Sequence, residues 1–333
     1  MITFKNKKMK MLTAGIMLTL AMGLMVGCGG EKKEAAKKEK VNVGIVQLVE
    51  HAALDAANKG FVDGLAAKGF KEGQNITFDR QNAQADQSNL QNIAQRFVSN
   101  KVDLICAIAT PAAQTVANVT PDIPIVGTAI TDYKAAKLIK DNAKPGTNVT
   151  GTTDMNPVEA QLDLALQLVP GAKAVGTIYS SSEVNSQLQV DILKKAAAVK
   201  KVEIVEATVT TVNDIQQAAR SLVGKVDVIY IPTDNVLASA MPTLAMVTEE
   251  AKIPVVCGEG EAVKSGGIAT LGIDYYKLGV QTGEMAADIL NGKAKPQDMA
   301  IQAQKDFDII VNFESAKKIG LTIPKEILDK AKK

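Results

Sequence analysis

VDLICAIATPAAQTVANVTPDIPIVGTAI, residues 102–130, contains the repeating unit from which the fold is built. The runs 102–109 and 123–130 are short and almost wholly apolar, which is typical of strands buried on both faces of a parallel sheet. Between them, Thr110 is a good helix cap and Pro111 suits the first helical turn, so this segment predicts a helix. A strand, a helix and a second strand in this order indicate a βαβ unit.

The same order of elements continues along the chain. Further strands are predicted at 41–48, 75–81, 148–153, 174–180, 202–209, 226–232, 253–259, 268–274 and 308–313. Landmarks of the first half return about 130 residues later in the same order, since VDLI is followed by VDVI at 226–229 and IPIV by IPVV at 253–256. The chain is therefore predicted to be an α/β protein with two similar doubly wound parallel-sheet lobes.

The runs outside the repeat suggest how the lobes are connected. We expect three crossings that form a hinge, because three segments allow closure while they limit twist. The expected crossings lie near 148–153, 268–275 and 307–313. The expected lobe 1 comprises residues 41–150 with 276–307, and the expected lobe 2 comprises residues 151–273 with 311–330.

The N-terminus carries an export signal. Residues 1–27 begin with four lysines and continue with an apolar run from 11 to 26, which predicts a secretory signal peptide. MVGC at 25–28 resembles the bacterial lipobox, so Cys28 is the expected site of a lipid anchor; an ordinary signal peptide with an incidental cysteine is the alternative. Residues 28–40 form a charged tether that we expect to be disordered. The predicted location is extracytoplasmic, at a bacterial cell membrane.

Composition excludes several functions. Removal of residues 1–27 takes away four lysines and no acidic residue, which changes the formal net charge from +2 to −2. With 4% aromatic residues and no Trp, the chain has no signature of nucleic-acid binding. One His and two remaining cysteines give no metal-ligand spacing, so no metal and no cofactor are expected. Cys106 and Cys257 fall in separate lobes, and we expect free thiols rather than a disulfide.

Catalysis is not indicated either. A serine triad would have to use His51, the single histidine, and no serine lies in a G-x-S-x-G elbow. The sequence leaves open a glycosidase with paired carboxylates, but export together with a duplicated hinge favours capture of a solute. We therefore expect a binding protein and no catalytic residues.

The expected ligand site lies between the lobes, because ligands bind beyond the carboxyl ends of parallel strands. Hydroxyl and amide groups at helix starts can hold a carboxylate, and acidic side chains can receive an ammonium group. Each of these residues could instead serve only as a helix cap. The candidates at the strand ends are Glu50, His51, Thr110, Pro111, Ala112, Asp132, Ser181, Ser182, Asn185, Asp234, Asn235, Glu259 and Asp274.

Long segments of the chain resemble a known family. They include VGIVQLVEHAALDAANKGFVDGL (43–65), CAIATPAAQTV (106–116), IPIVGTAITD (123–132), GTNVTGTTD (146–154), IYIPTDN (229–235), VVCGEGEAVKSGGIATLGIDYYKLG (255–279) and FDIIVNFESAKKIGL (307–321). The chain resembles the substrate-binding lipoproteins of bacterial ABC importers, in the tryptophan/tyrosine-binding-like family with the type I periplasmic-binding-protein fold. Ala53 departs from the proline that commonly stands there in this family.

The resemblance implies a monomeric receptor that closes on a small amino acid, with aromatic ones favoured, and delivers it to a membrane permease. In that frame Thr110, Ala112 and Ser182 would hold the carboxylate, while Asp234 and Asp274 would take the ammonium. His51 would bond the ligand or tie its loop to Asp55. A surface sensor or adhesin of the same fold is the alternative function. Sugars and nucleosides are the alternative ligands, although five Tyr, seven Phe and no Trp offer few stacking platforms for a sugar.

Overall fold

A computed structural model describes residues 40–332, and every strand expected from the sequence forms, to within three residues at either end. The strands are β1 (Val41–Gln47), β2 (Ile76–Asn82), β3 (Leu104–Ile108), β4 (Ile125–Ile130), β5 (Val149–Thr153), β6 (Ala174–Ser180), β7 (Glu203–Val209), β8 (Val228–Ile231), β9 (Val255–Cys257), β10 (Ala269–Gly272), β11 (Gln302–Ala303) and β12 (Asp308–Val311). The expected signal peptide, the lipidation site Cys28 and the tether up to residue 39 lie outside the described residues.

Helices follow most strands, as the βαβ pattern predicts. They are α1 (Ala52–Ala67), α2 (Gln87–Ser99), α3 (Thr110–Val119), α4 (Val158–Leu168), α5 (Val184–Lys200), α6 (Ile215–Leu222), α7 (Asn235–Ser239), α8 (Met241–Glu250), α9 (Gly260–Lys264), α10 (Tyr275–Leu290), α11 (Phe313–Ile319) and α12 (Lys325–Leu328). Thr110 is the first residue of α3 rather than its cap, because the preceding Ala109 has the non-helical backbone.

The strands form two sheets with matching order. The first sheet runs β11-β5-β4-β3-β1-β2 and the second runs β12-β10-β9-β8-β6-β7. All neighbours are parallel except the edge strand β12, which is antiparallel to β10. This matching order confirms the fold class of two similar α/β lobes. The sequence analysis missed β11, whose two residues are too short to carry a periodic signal.

Each lobe has its own apolar core. In lobe 1, the central strands β1, β3 and β4 are buried along almost their whole length between α1, α2, α3 and α10. In lobe 2, one cluster lies on the face covered by α6 and α8, and another on the face covered by α4 and α5. Burial of both faces explains why these strands read as continuous apolar runs.

The chain passes between the sheets three times. It leaves the first sheet after Thr153, returns after Gly272 and leaves again after Ala303. Two side chains tie these crossings together. The Tyr275 hydroxyl donates to Asp154 Oδ2 at 2.7 Å. The Gln304 amide bonds the backbone of Asp274 twice, donating to its carbonyl at 2.6 Å and accepting from its N–H at 3.3 Å.

Glycines bring α1 and α10 into backbone contact. A Cβ at Gly279 would lie 2.0 Å from the carbonyl oxygen of Ala57, and one at Gly60 would lie 2.1 Å from that of Tyr276. Because these neighbours are backbone atoms, neither helix can yield to an added side chain. The contact joins a helix that begins at the second crossing to one that begins at the cleft between the lobes.

The structure also locates the two cysteines of the lobes and tests for a membrane-spanning helix. Cys106 on β3 and Cys257 on β9 are buried free thiols in separate lobes. Within residues 40–332, no helix has the length and apolarity needed to cross a membrane.

Candidate ligand-binding site

A small cavity lies between the two lobes. Lobe 1 contributes the start of α1 and the end of β4, lobe 2 contributes the starts of α5 and α7 together with the end of β9, and the crossings contribute two side chains. The lining residues are His51, Ala53, Leu54, Ala129, Thr131, Asp154, Asn185, Thr233, Asp234, Asn235, Ala238, Glu259 and Tyr275.

The lobes touch each other beside this cavity. His51 Nε2 lies 3.3 Å from Asn235 Oδ1, and the hydroxyls of Thr131 and Thr233 lie 3.5 Å apart. Burial lowers the pKa of His51, so the ring is neutral in this arrangement. Since the Asn235 amide nitrogen donates to Glu183, its oxygen accepts and His51 Nε2 is the donor. The structure is therefore a closed arrangement, and His51 bridges the lobes rather than bonding Asp55, whose carboxylate accepts from Gln47.

On the lobe 1 side, the helix starts are uncapped. Neither α1 nor α3 has a side-chain bond to its first free N–H groups, and both begin at the carboxyl edge of the first sheet. Ala109, just before α3, has φ 85°, a conformation that costs energy for any residue with a side chain. Thr110 is buried, and its Oγ1 has no hydrogen-bond partner. Uncapped helix starts favour a bound anion.

On the lobe 2 side, three buried carboxyl groups cap the helix starts. Asp234 accepts from the N–H of Leu237 at 2.9 Å, from the N–H of Ser180 at 2.6 Å and from the Ser186 hydroxyl at 2.7 Å. Glu183 accepts from the first two N–H groups of α7, and Glu259 from two N–H groups at the start of α9. Carboxyl groups of lobe 2 thus cap α7 and α9, while the start of α5 has no side-chain cap.

These acids hold protons more tightly than usual. Burial raises the pKa of Glu183 to about 8, with the nearby charge of Asp234 adding to the effect, and burial raises the pKa of Glu259 to about 7. The folded pKa of each group lies above its value of about 4.3 in an unfolded chain. The folded protein therefore binds more protons than the unfolded chain between about pH 4.5 and 8. The resulting stabilisation of the fold is lost as the pH rises through that range.

We accordingly expect the melting temperature of the ligand-free protein to fall by several degrees between pH 5.5 and pH 8.5. Glu183→Gln, which mimics the protonated carboxyl group, should flatten this slope when Tm is measured across the range. Glu72→Gln is the matched control, because that exposed carboxylate pairs with Arg80 and its pKa is lowered. A Tm that stays level in the unmodified chain would contradict the prediction.

The structure separates the thirteen candidate residues into groups. His51, Asn185, Asp234, Asn235 and Glu259 line the cavity. Glu50 and Ser182 line an outer groove between the lobes, while Asp274 faces a pocket on the hinge side that Glu259 also reaches. The residues that line none of these three spaces are Thr110, Pro111, Ala112, Asp132 and Ser181.

Several candidates act as caps instead. Asp274 caps α10 through the N–H of Lys277 and does not line the cavity, so the structure does not place it to meet a ligand ammonium there. Asp132 accepts from the N–H groups of Lys134 and Ala135 at 2.8 Å each. The oxygens of Asp234 are occupied by donors of the protein. Asp234 and Asp274 thus serve as helix caps, as the alternative expected, and Asp132 bonds the backbone of a turn.

The sequence analysis did not select Asp154, which lines the cavity, or Glu183, which accepts from the cavity residues Asn185 and Asn235. Asp154 ends the quoted segment GTNVTGTTD directly after β5, and Glu183 lies three residues after β6 in the loop that supplied Ser181 and Ser182. Their positions after strands therefore carried the same signal as the chosen candidates. Tyr275, which the sequence places at the second crossing beside Asp274, lines the cavity from the start of α10.

The cavity has the geometry of a binding site. Asp154 Oδ1 and Asn185 Oδ1 are buried acceptors without partners among residues 40–332, and both residues line the cavity. In the described part of the chain, no group of three or more His, Cys, Asp or Glu side chains is arranged to hold a metal ion.

Two α/β lobes of the same topology, three crossings and a cavity closed between them define a solute-binding protein of the periplasmic-binding-protein class. The family model described as "ABC transporter substrate binding protein" matches residues 42–333, so the chain belongs to that family. Its members are extracytoplasmic solute-binding proteins rather than enzymes, and the resemblance seen in the sequence is confirmed.

Individual relatives are similar over almost the whole chain. A tyrosine-binding protein of Clostridioides difficile (strain R20291) is 44% identical over 326 residues, which cover 95% of this chain and 93% of that protein. A crystal structure of an ABC domain in complex with L-Trp from Streptococcus pneumonia is 38% identical, with a TM-score of 0.85, and covers 88% of this chain and 99% of that one.

A third relative differs in overall shape. The ligand-free, open structure of a substrate binding protein with adhesive properties from Clostridium difficile is 48% identical and covers 87% of this chain and 98% of that one. Its TM-score is 0.67, below that of the less identical L-Trp complex. The higher TM-score with the L-Trp complex than with the open structure agrees with the contacts between His51 and Asn235 and between Thr131 and Thr233, which mark the present structure as closed.

Proposed function

We propose that this ABC substrate-binding protein captures an aromatic L-amino acid, tyrosine or tryptophan, between its lobes and delivers it to a membrane permease. The observation that carries this proposal is the opposite polarity of the two sides of the cavity. Lobe 1 presents the uncapped positive end of α1, and lobe 2 with the first crossing presents carboxyl groups. An amino acid has a carboxylate for the start of α1 and an ammonium donor for the carboxyl oxygens on the other side.

The relatives support an amino acid. A relative is named a tyrosine-binding protein, and another was solved with L-Trp. Within this proposal the ligand carboxylate meets the first turn of α1, at Ala53 and Leu54. We prefer this turn to Thr110, Ala112 and Ser182, because those residues do not line the cavity.

We further propose that the protein is a monomer held to the bacterial membrane by a lipid on Cys28. The support is the sequence MVGC after a basic, apolar leader and the charged tether that follows it. Mass spectrometry of the protein made in a bacterial host with a lipoprotein pathway should show a diacylated N-terminal cysteine. Cys28→Ala should abolish the modification and release the protein from the membrane.

Thermal unfolding tests the ligand class. A ligand at about a thousand times its dissociation constant adds about 4 kcal/mol of stability, which raises the Tm by several degrees. We expect the chain from residue 31 to show this shift with Tyr, Trp or Phe and with none of the other amino acids, sugars or purine nucleosides. A shift with sugars or nucleosides alone would overturn the proposed ligand and leave the family unaffected.

A role as a surface adhesin is the second candidate. It is favoured by the relative described as having adhesive properties, which is 48% identical. If adhesion matters here, the purified chain should bind cultured host cells, and saturating amino acid should alter that binding by holding the cleft closed. No binding above that of an unrelated bacterial lipoprotein would rule out this candidate.

A further inference from the structure

Two acceptors in the closed cavity lack donors. Asp154 and Asn185 are each 4% exposed, and no group makes a hydrogen bond of ordinary geometry to Asp154 Oδ1 or to Asn185 Oδ1 in the described part of the chain. A buried polar atom without a partner costs about 1–3 kcal/mol, and more when it is charged. Two such atoms facing one cavity therefore indicate a missing donor.

The orientations of both side chains are fixed by their neighbours. The Asn185 amide nitrogen donates to the carbonyl of Thr233 at 3.0 Å and to Glu183 at 3.0 Å, so the free atom is the oxygen. Tyr275 donates to Asp154 Oδ2 at 2.7 Å, which leaves Oδ1 unpaired. Burial raises the pKa of Asp154, and the Tyr275 and Thr131 hydroxyls oppose this rise, although within residues 40–332 no group makes a well-formed bond to Oδ1.

Residues 40–332 supply no cation at this place. None of their lysines or arginines lines the cavity, and the Nε2 hydrogen of His51 is directed to Asn235. A primary ammonium group carries three donors and one positive charge, so it can bond both free oxygens and keep a donor for another contact. A neutral hydroxyl offers one donor and no charge.

We propose, on the basis that the ligand is an amino acid, that Asp154 and Asn185 together form the subsite for its ammonium group, with Tyr275 as the residue that positions Asp154. The ammonium is thus assigned to Asp154 rather than to Asp234 or Asp274. Asp154 belongs to the first crossing and Asn185 to lobe 2, so the amine links the hinge to lobe 2 when the cleft closes. Without that amine, closure leaves both oxygens unpaired.

Isothermal titration with two ligands tests this subsite in the mature protein. L-Tyrosine carries the amine, and 3-(4-hydroxyphenyl)propanoate has the same ring and carboxylate without it. We expect Asp154→Asn to weaken L-tyrosine about 100-fold and to change binding of the propanoate less than threefold. Asp86→Asn is the matched control, because it keeps an equally good cap on α2 and Asp86 does not line the cavity.

Tyr275→Phe separates positioning from folding. This variant keeps the ring and removes the hydroxyl that holds Asp154, so L-tyrosine should weaken about tenfold while the propanoate is unaffected. In a protein that already carries Asp154→Asn, Tyr275→Phe should weaken L-tyrosine binding little further, because Tyr275 acts through Asp154. If Asp154→Asn does not fold, the two ligands and Tyr275→Phe still test the subsite.

The outcomes distinguish this subsite from the proposed ligand class. Equal loss of both ligands in Asp154→Asn, or no loss of either, would overturn the ammonium subsite. The same holds if the unmodified protein binds tyrosine and the propanoate equally well. If it binds neither tyrosine nor tryptophan, the proposed function fails first. With tryptophan in place of tyrosine, indole-3-propanoate is the matched analogue.

Discussion

Gly279→Ala is expected to lower the free energy of unfolding by about 3 kcal/mol, because the new methyl group would lie 2.0 Å from the Ala57 carbonyl oxygen. Alanine is the better helix former by about 1 kcal/mol, but this gain is smaller than the cost of separating two backbones. The Tm should fall by roughly 6–12 °C in calorimetry. Ligand affinity should fall too, because α1 carries the uncapped start that lines the cavity.

Lys277→Ala provides the control for this substitution. Lys277 is exposed on the same helix, so its replacement by alanine should change stability by less than about 0.5 kcal/mol. If Gly279→Ala proves as mild as Lys277→Ala, then α1 and α10 can move apart at low cost, and the rigidity inferred from their backbone contact is wrong.

Asp234→Ala should also lower the free energy of unfolding by about 3 kcal/mol. It would leave the Ser180 N–H, the Leu237 N–H and the Ser186 hydroxyl without their acceptor inside lobe 2. Removal of this carboxylate also lowers the pKa of Glu183, since the neighbouring charge helps to raise it. Urea unfolding monitored by circular dichroism measures the loss, and an NMR titration of a protein labelled at glutamate measures the pKa.

Asp274→Ala is the informative comparison. Asp274 is partly exposed and caps α10 through one N–H group, so its loss should cost about 1 kcal/mol and change ligand affinity less than threefold. A large loss of ligand affinity in Asp274→Ala, with stability unchanged, would show that Asp274 binds the ligand ammonium. Loss of binding in Asp234→Ala without any loss of stability would contradict its assignment as a structural cap.

The fold could be predicted because its strands are buried on both faces. Segments such as 102–109 and 123–130 are then apolar without interruption, and their repetition about 130 residues later exposes the duplication. Strand β11 could not be predicted, because two residues have no period. The antiparallel direction of β12 depends on where the third crossing re-enters lobe 2, which local sequence does not encode.

The sequence indicates which residues lie between the lobes but not what each of them bonds. His51, Asn185 and Asn235 follow strand ends and line the interlobe cavity, since parallel strands place their carboxyl ends together. Roles depend on which atoms the protein itself satisfies. Asp234 and Asp154 are both acids that follow strands closely, yet three donors surround the first and one oxygen of the second is free. Only three-dimensional contacts separate them.

The side chain of Gln304 has a mechanical consequence. Its two bonds to the backbone of Asp274 fasten the third crossing to the second, so these two segments must bend together. The bond from Tyr275 to Asp154 fastens the second crossing to the first, so side-chain bonds link all three crossings. We therefore expect the three segments to bend as one unit when the cleft opens, which would restrict the relative motion of the lobes more than three independent strands of chain would.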